Sequence, residues 1–289
     1  MPRHSPPTPA PEMLKQRIIT AVLLLAVFLP TLLYPTIEPF AAFTLALIGA
    51  AGWEWARLNG CGQTRAVSCG LALAVAGLIF WLIGGVERSW RELWLALGVV
   101  WVLLAVVLLR GGTEALKRCP LWIRLWLGLF LIACAWLALV QARLLGLGFL
   151  LSVLLLVWAA DIAAYFGGKR FGRRKLAPSI SPGKSWEGAI SGLIGVVLLA
   201  WVWLMGTQRG WFAPRHLYDY LWSLGPLLAV LGLMFLAAMS VVGDLVESLV
   251  KRAAGVKDSS GLLPGHGGVL DRIDALLPVL PLAMMLVTF

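Results

Sequence analysis

Charge is what this sequence has least of. Only 13% of its 289 residues are Asp, Glu, Lys or Arg, whereas 60% are hydrophobic and the mean hydropathy is +0.88. A soluble domain needs more polar surface to meet water, so the composition excludes an ordinary globular protein and indicates an integral membrane protein. Cysteine is scarce as well. Cys61, Cys69, Cys119 and Cys134 form no CxxC and have no His partner at metal-ligand spacing, which excludes a zinc site and a disulfide framework. There is no Walker-type phosphate loop. The absence of internal repeats or inverted symmetry argues against the common transporter architectures. Acidic residues number 14 against 24 Lys and Arg, a net charge of +10. In a soluble chain that excess would suggest nucleic acid; here cytoplasmic anchoring of loops accounts for it, and no nucleic-acid partner is expected.

What is present is a series of apolar runs near the roughly 20 residues needed to cross a bilayer. They lie at about 18–35, 39–56, 66–85, 93–109, 121–141, 144–166, 188–206, 221–243 and 273–289. The expected fold is therefore all-α, a polytopic integral membrane protein of about nine transmembrane helices. Residues 1–12, with five prolines, read as a disordered cytoplasmic tail; residues 13–143 form an N-terminal set of transmembrane helices and 144–289 a C-terminal set carrying the site. With the N-terminus inside, eighteen cations fall on the cytoplasmic side and five (Arg88, Arg91, Arg143, Arg209, Arg215) on the other, with Arg124 inside a span. This orientation puts the C-terminus outside and the polar segments 167–187 and 244–272 in the cytoplasm. Trp53, Trp55, Trp81, Trp90, Trp94, Trp122, Trp211 and Trp222 lie near span ends, as interfacial anchors would. Gly188 and Gly192 form a GxxxG suited to a close helix contact.

One stretch breaks the apolar pattern. Residues 244–274, DLVESLVKRAAGVKDSSGLLPGHGGVLDRID, hold five of the acidic residues. Asp244, Glu247, Ser248 and Lys251 are spaced to share one helix face, Gly255 ends that helix, and Asp271 and Asp274 open the next. Paired carboxylates beside Lys251 and Arg252 suit phosphoryl chemistry, in which carboxylates hold a hard cation and basic groups hold phosphate oxygens. Mutual pairing at a solvated helix end is the alternative for Glu247, Asp258 and Arg272. His266, in PGHGG, stands open as ligand, general acid or loop residue. Asp161, in an apolar span, is either functional or the partner of a cation. Downstream lies GGKRFGRRKLAPSISPGKSWEG, in which Lys169, Arg170, Arg173, Arg174 and Lys175 suit a lipid or nucleotide phosphate, or simple anchoring; Lys184 is the more specific residue.

The string Ser248-x-x-Lys251-Arg252-x₄-Lys257-Asp258-x₂-Gly261-x₂-Pro264-Gly-His266-Gly-Gly-x₂-Asp271-Arg272-x-Asp274 resembles the characteristic motif of the phosphatidate cytidylyltransferases, or CDP-diacylglycerol synthases. Chain length and the upstream SPGKSWEG block are similar to the bacterial members. The resemblance implies a multi-helix enzyme of the cell inner membrane, a homodimer, that joins CTP and phosphatidic acid into CDP-diacylglycerol and pyrophosphate with Mg²⁺ and, as a second ion, K⁺. The expected roles are metal binding for Asp244 and Asp271, and catalysis for Lys184, Ser248, Lys251, Arg252 and Asp274. Substrate contacts are expected from Asp161, Lys169, Arg170, Lys257, Asp258, His266 and Arg272. The rivals are a transporter, against which the gathering of charge at one membrane face argues, and another CTP-using membrane enzyme such as a polyprenol kinase. A CDP-alcohol phosphotransferase is disfavoured because DGxxAR does not occur.

Overall fold

A computed structural model describes residues 10–288. The chain is a helical membrane protein. Its long helices are α1 (Ala10–Leu33), α2 (Glu38–Leu58), α3 (Gln63–Leu82), α4 (Arg91–Arg118), α5 (Leu121–Leu145), α6 (Leu147–Phe171), α7 (Trp186–Gln208) and α9 (Pro226–Ala253). Shorter helices are α8 (Leu217–Ser223), α10 (Leu270–Ile273) and α11 (Leu276–Val287). The expected tail reaches into α1, since Ala10 to Glu12 are already helical; residues 1–9 lie outside the described residues.

Nine spans are expected from sequence; among the described residues, seven helices are both long and apolar enough to cross a membrane: α1, α3, α4, α5, α6, α7 and α9. α2 is long enough but less apolar, with Glu54 in its interior. The last span is not one helix. Its hydrogen bonding is interrupted: Pro278, inside α11, has no N–H for the carbonyl of Asp274, and Asp274 and Ala275, both with helical dihedrals, separate α10 from α11. With the helical dihedrals of Asp274 and Ala275 between them, α10 and α11 run from Leu270 to Val287, roughly 27 Å at 1.5 Å per residue, against a bilayer core of about 30 Å. α11 is nonetheless central, packed against α4, α5, α6, α8 and α9. The eighth span is likewise two elements, α8 and α9, parted at Gly225 with Pro226 opening α9.

Two features prepare the site. Gly255, in the left-handed region at φ 73°, follows the C-terminus of α9, as expected from sequence. The α6–α7 hairpin is unusually close: a Cβ at Gly188 would lie 2.9 Å from the carbonyl of Ala164, and one at Gly192 2.9 Å from that of Ala160. Gly192→Leu is expected to lower stability by about 1–3 kcal/mol through overpacking, measured as an earlier melting transition in lipid nanodiscs. An unchanged transition would refute the contact. Between these helices the expected loop is partly regular, an antiparallel hairpin of β1 (Lys175–Ala177) and β2 (Ser181–Ser185). The Trp assignment is mixed. Trp122, Trp211 and Trp222 are exposed, but Trp94 is fully buried and belongs to the core.

Candidate active site

The functional side chains gather at one end of the bundle, and helix periodicity explains the first layer. Along α9, Ser248 Oγ donates to Asp244 Oδ1 at 3.1 Å and Lys251 Nζ meets Glu247 Oε2 at 2.5 Å, both one helical turn apart. The second layer comes from far away in sequence. β2 turns Lys184 toward α9, where its Nζ lies 2.6 Å from Asp244 Oδ2. The hairpin is braced to allow this. Glu187 accepts from the backbone N–H groups of Arg173 and Arg174 at 3.0 and 3.1 Å, and Ser185 caps α7 by accepting from Gly188 N at 3.1 Å.

A cavity of about 490 Å³ opens beside the Lys184–Asp244 pair. Asp161, Lys169, Lys184 and Asp244 supply its charged lining, while Ala164, Leu176, Ala189 and Val241 supply apolar wall. Asp161 sits ten residues before the end of α6, so the cavity reaches roughly 15 Å down that helix. Its lining thus sets two carboxylates and two ammonium groups beside an apolar wall.

The 256–270 loop forms an adjoining wall. Asp271 Oδ2 accepts from Ser259 N at 2.9 Å, Ser259 Oγ at 2.8 Å and Gly268 N at 2.7 Å, and Oδ1 meets Lys251 Nζ at 2.6 Å. Burial of Asp271 works against its ionisation, but Lys251 and the backbone donors prevail and hold its pKa at about 2. Because this value lies below that of a free carboxylate, the stabilisation is present above about pH 4 and fades only as pH falls toward 2. Asp274 lies within electrostatic range of Asp244, Lys184 and Lys251 and so stands between the cavity and the loop.

The structure thus brings Asp161, Lys169, Lys184 and Asp244 together, and separately Lys251 and Asp271. Arg252 is exposed, with a long contact of 3.5 Å from Nε to the carbonyl of Ile180 in the hairpin turn. Arg170, Lys257 and Asp258 are exposed, and Arg272 donates to the carbonyl of His266 at 2.6 Å. His266 Nδ1 is buried without a hydrogen-bond partner. Sequence reasoning missed Glu54. This fully buried carboxylate of α2 accepts from Val269 N at 3.0 Å, Leu270 N at 2.7 Å and the hydroxyl of Ser260, and lies 3.3 Å from the hydroxyl of Ser259. An ionisable residue inside an apolar run was the available signal. α1 also reaches the loop, through Arg17 Nε to the carbonyl of Gly265 at 2.9 Å and Thr20 Oγ1 to that of Pro264 at 3.0 Å.

Carboxylates are the donors this site offers a hard cation. Among the described residues, no three His, Cys, Asp or Glu side chains converge as a metal site. Mg²⁺ commonly takes only one or two carboxylates and completes its shell with water and substrate phosphates, and Asp244, whose Oδ2 already faces a cation, fits that donor set.

The sequence model of the cytidylyltransferase family matches residues 15–289. A phosphatidate cytidylyltransferase of Pseudomonas aeruginosa is 44% identical over 272 residues, covering 93% of this chain and 95% of its own. The enzyme of the same name from Haemophilus influenzae is 37% identical, covering 93% and 96%, and that of Bacillus subtilis 33%, covering 93% and 95%.

Proposed function

Since the chain belongs to the cytidylyltransferase family, we propose that the convergence of its basic hairpin and acidic helix serves one reaction, the transfer of CMP from CTP to phosphatidic acid. The chain is a phosphatidate cytidylyltransferase, a transferase of phospholipid synthesis. The observation that carries the site is the Lys184–Asp244 pair, which joins segments 60 residues apart at the mouth of a cavity with charged and apolar walls.

An oxygen of the lipid phosphate attacks the α-phosphorus of CTP. A new P–O bond forms, the α–β phosphoanhydride breaks, and pyrophosphate leaves with the electron pair. A phosphate monoester is nucleophilic near neutral pH, so positioning and charge neutralisation supply most of the acceleration. Lys184, Lys251 and Arg252 neutralise phosphate oxygens; Ser248 and Asp274 complete the reacting face. Asp161 and Lys169 line the cavity, Arg170 follows them at the end of α6, and Lys257, Asp258, His266 and Arg272 lie on the loop side, as substrate contacts. Asp244 would hold Mg²⁺, and Asp271, whose oxygens face Lys251, Ser259 and Gly268, would join it by exchanging Lys251 for the metal, with K⁺ as the second ion; the metal would neutralise charge on the triphosphate.

The site end and the N-terminus face the cytoplasm and the C-terminus lies outside, in a cell inner membrane, a reading supported by the distribution of Lys and Arg. The working unit is a homodimer, a reading supported by the family resemblance. The mass of the lipid-embedded protein tests it, and a solely monomeric active species would refute it.

The reaction is tested by supplying purified protein with phosphatidic acid, Mg²⁺ and CTP labelled at either the α- or the γ-phosphorus. Label from the α position is expected in the organic phase. Transfer from the γ position alone would identify a kinase, and transfer from neither would remove the enzymatic reading.

A further inference from the structure

Glu54 belongs to none of the groups to which the reaction above assigns a role, yet it is among the most heavily engaged carboxylates in the molecule. Its side chain is fully buried in α2, and both oxygens point into the signature loop. Oε1 accepts from Ser260 Oγ and Val269 N; Oε2 accepts from Leu270 N and lies 3.3 Å from Ser259 Oγ. These partners lie more than 200 residues away along the chain. A buried carboxylate is costly unless hydrogen bonds replace its water; here two backbone N–H groups and the Ser260 hydroxyl do so, and the single proton of the Ser259 hydroxyl is shared with the nearer Asp271.

The glycines of PGHGG are shaped to this contact. A Cβ on Gly268 would stand 2.3 Å from Glu54 Oε1 and 2.0 Å from Ser259 Oγ, so only glycine admits the carboxylate. Gly267 has φ 84°, and a Cβ there would lie 2.7 Å from Asp271 Oδ2. Ser259 links the two carboxylates: its hydroxyl is 3.3 Å from Glu54 Oε2 and 2.8 Å from Asp271 Oδ2. Asp271 then meets Lys251, which meets Glu247. A continuous polar chain therefore runs from α2 through the loop to the α9 face.

We propose that Glu54 is a positioning residue for the reaction: it anchors the signature loop on α2 and thereby sets Asp271 and Lys251 at the reacting phosphates. The inference rests on the functional reading given above. A glutamine cannot replace it, because its amide nitrogen would face a backbone N–H donor whichever way the group is turned.

The test compares wild type with Glu54→Gln in lipid nanodiscs, by steady-state kinetics and by hydrogen–deuterium exchange. Loss of hydrogen bonds to a charged group predicts a fall in kcat of roughly 10- to 100-fold, with KM for both substrates within about threefold, since the contact acts on the reacting geometry. Exchange is expected to rise at residues 258–270 and to stay unchanged in α9 and α11. A kcat within twofold of wild type, or faster exchange throughout the chain with kcat falling only in proportion to folded protein, overturns the proposal. If Glu54→Gln does not fold, Ser260→Ala removes one donor and keeps the carboxylate. It is expected to lower kcat about three- to tenfold with the same local exchange, and wild-type kinetics would overturn the proposal. A wild-type protein without CMP transfer would instead remove the functional reading, and the exchange comparison would still decide whether Glu54 holds the loop.

Discussion

Asp244→Asn is expected to lower turnover by roughly 10²- to 10³-fold, with the protein still inserted and folded. Asp244 Oδ2 faces Lys184 at 2.6 Å and Oδ1 takes the hydroxyl of Ser248, so the substitution keeps the shape of the side chain while removing its charge. Three consequences follow at one point. Lys184 loses the counter-charge that holds β2 over the cavity, the carboxylate proposed for the metal becomes neutral, and the field acting on Asp274 changes. None of these disturbs the apolar packing of α9 against α4, α7 and α11, which is why folding should survive. Steady-state CMP transfer measured beside a melting curve separates the two effects. Near-normal turnover would sink the role given to Asp244.

The second large effect is expected at Asp271, with a different signature. Asp271→Asn can present one carbonyl oxygen to Ser259 and Gly268, but its amide then confronts the ammonium of Lys251 with donors instead of an acceptor. Turnover should again fall by roughly 10²- to 10³-fold. Here the loop itself should also loosen, by about 1–3 kcal/mol, the cost of leaving buried hydrogen-bonding groups unsatisfied. Limited proteolysis between Gly255 and Gly268 should therefore accelerate in Asp271→Asn and not in Asp244→Asn. Equal protease resistance in both variants would contradict the division of labour between loop and cavity. Since Asp271 stays ionised down to a pKa of about 2, the wild-type loop should keep its resistance between pH 5 and 8.

The features legible in the sequence were those set by local geometry. Helical spacing joins Asp244 to Ser248 and Glu247 to Lys251, and the structure contains both contacts. Gly255 marks a helix end, and the GxxxG of Gly188 and Gly192 marks a close contact, because each depends only on neighbouring residues or on the lack of a Cβ. What could not be read were pairings made by the fold. Nothing near Lys184 in sequence announces Asp244, and nothing near Glu54 announces Val269 and Leu270. Flanked by Trp53 and Trp55, Glu54 reads as the rim of a membrane span when it is the anchor of a distant loop.

The expected count of nine spans is not confirmed by length and composition, which single out seven helices among the described residues. Apolarity is a property of a run, whereas α8 and α9 are parted at Gly225, and α10 and α11 at Asp274–Ala275, where Pro278 supplies no N–H to the Asp274 carbonyl. The second division has a use. It leaves the Asp274 carbonyl free of a helical partner where Gly243 of α9 comes so close that a Cβ would lie 2.4 Å from that oxygen. This contact brings the two acidic helices of the site together.

The central claim is a single displacement, in which the lipid phosphate itself attacks CTP and no residue of the protein carries the nucleotide. The stereochemical course at phosphorus tests it directly. CTP made chiral at the α-phosphorus by sulfur substitution is converted in the presence of phosphatidic acid, and the configuration of the thio-substituted CDP-diacylglycerol is determined. Inversion is the predicted result; retention, the mark of two displacements through a nucleotidyl-enzyme, would contradict it.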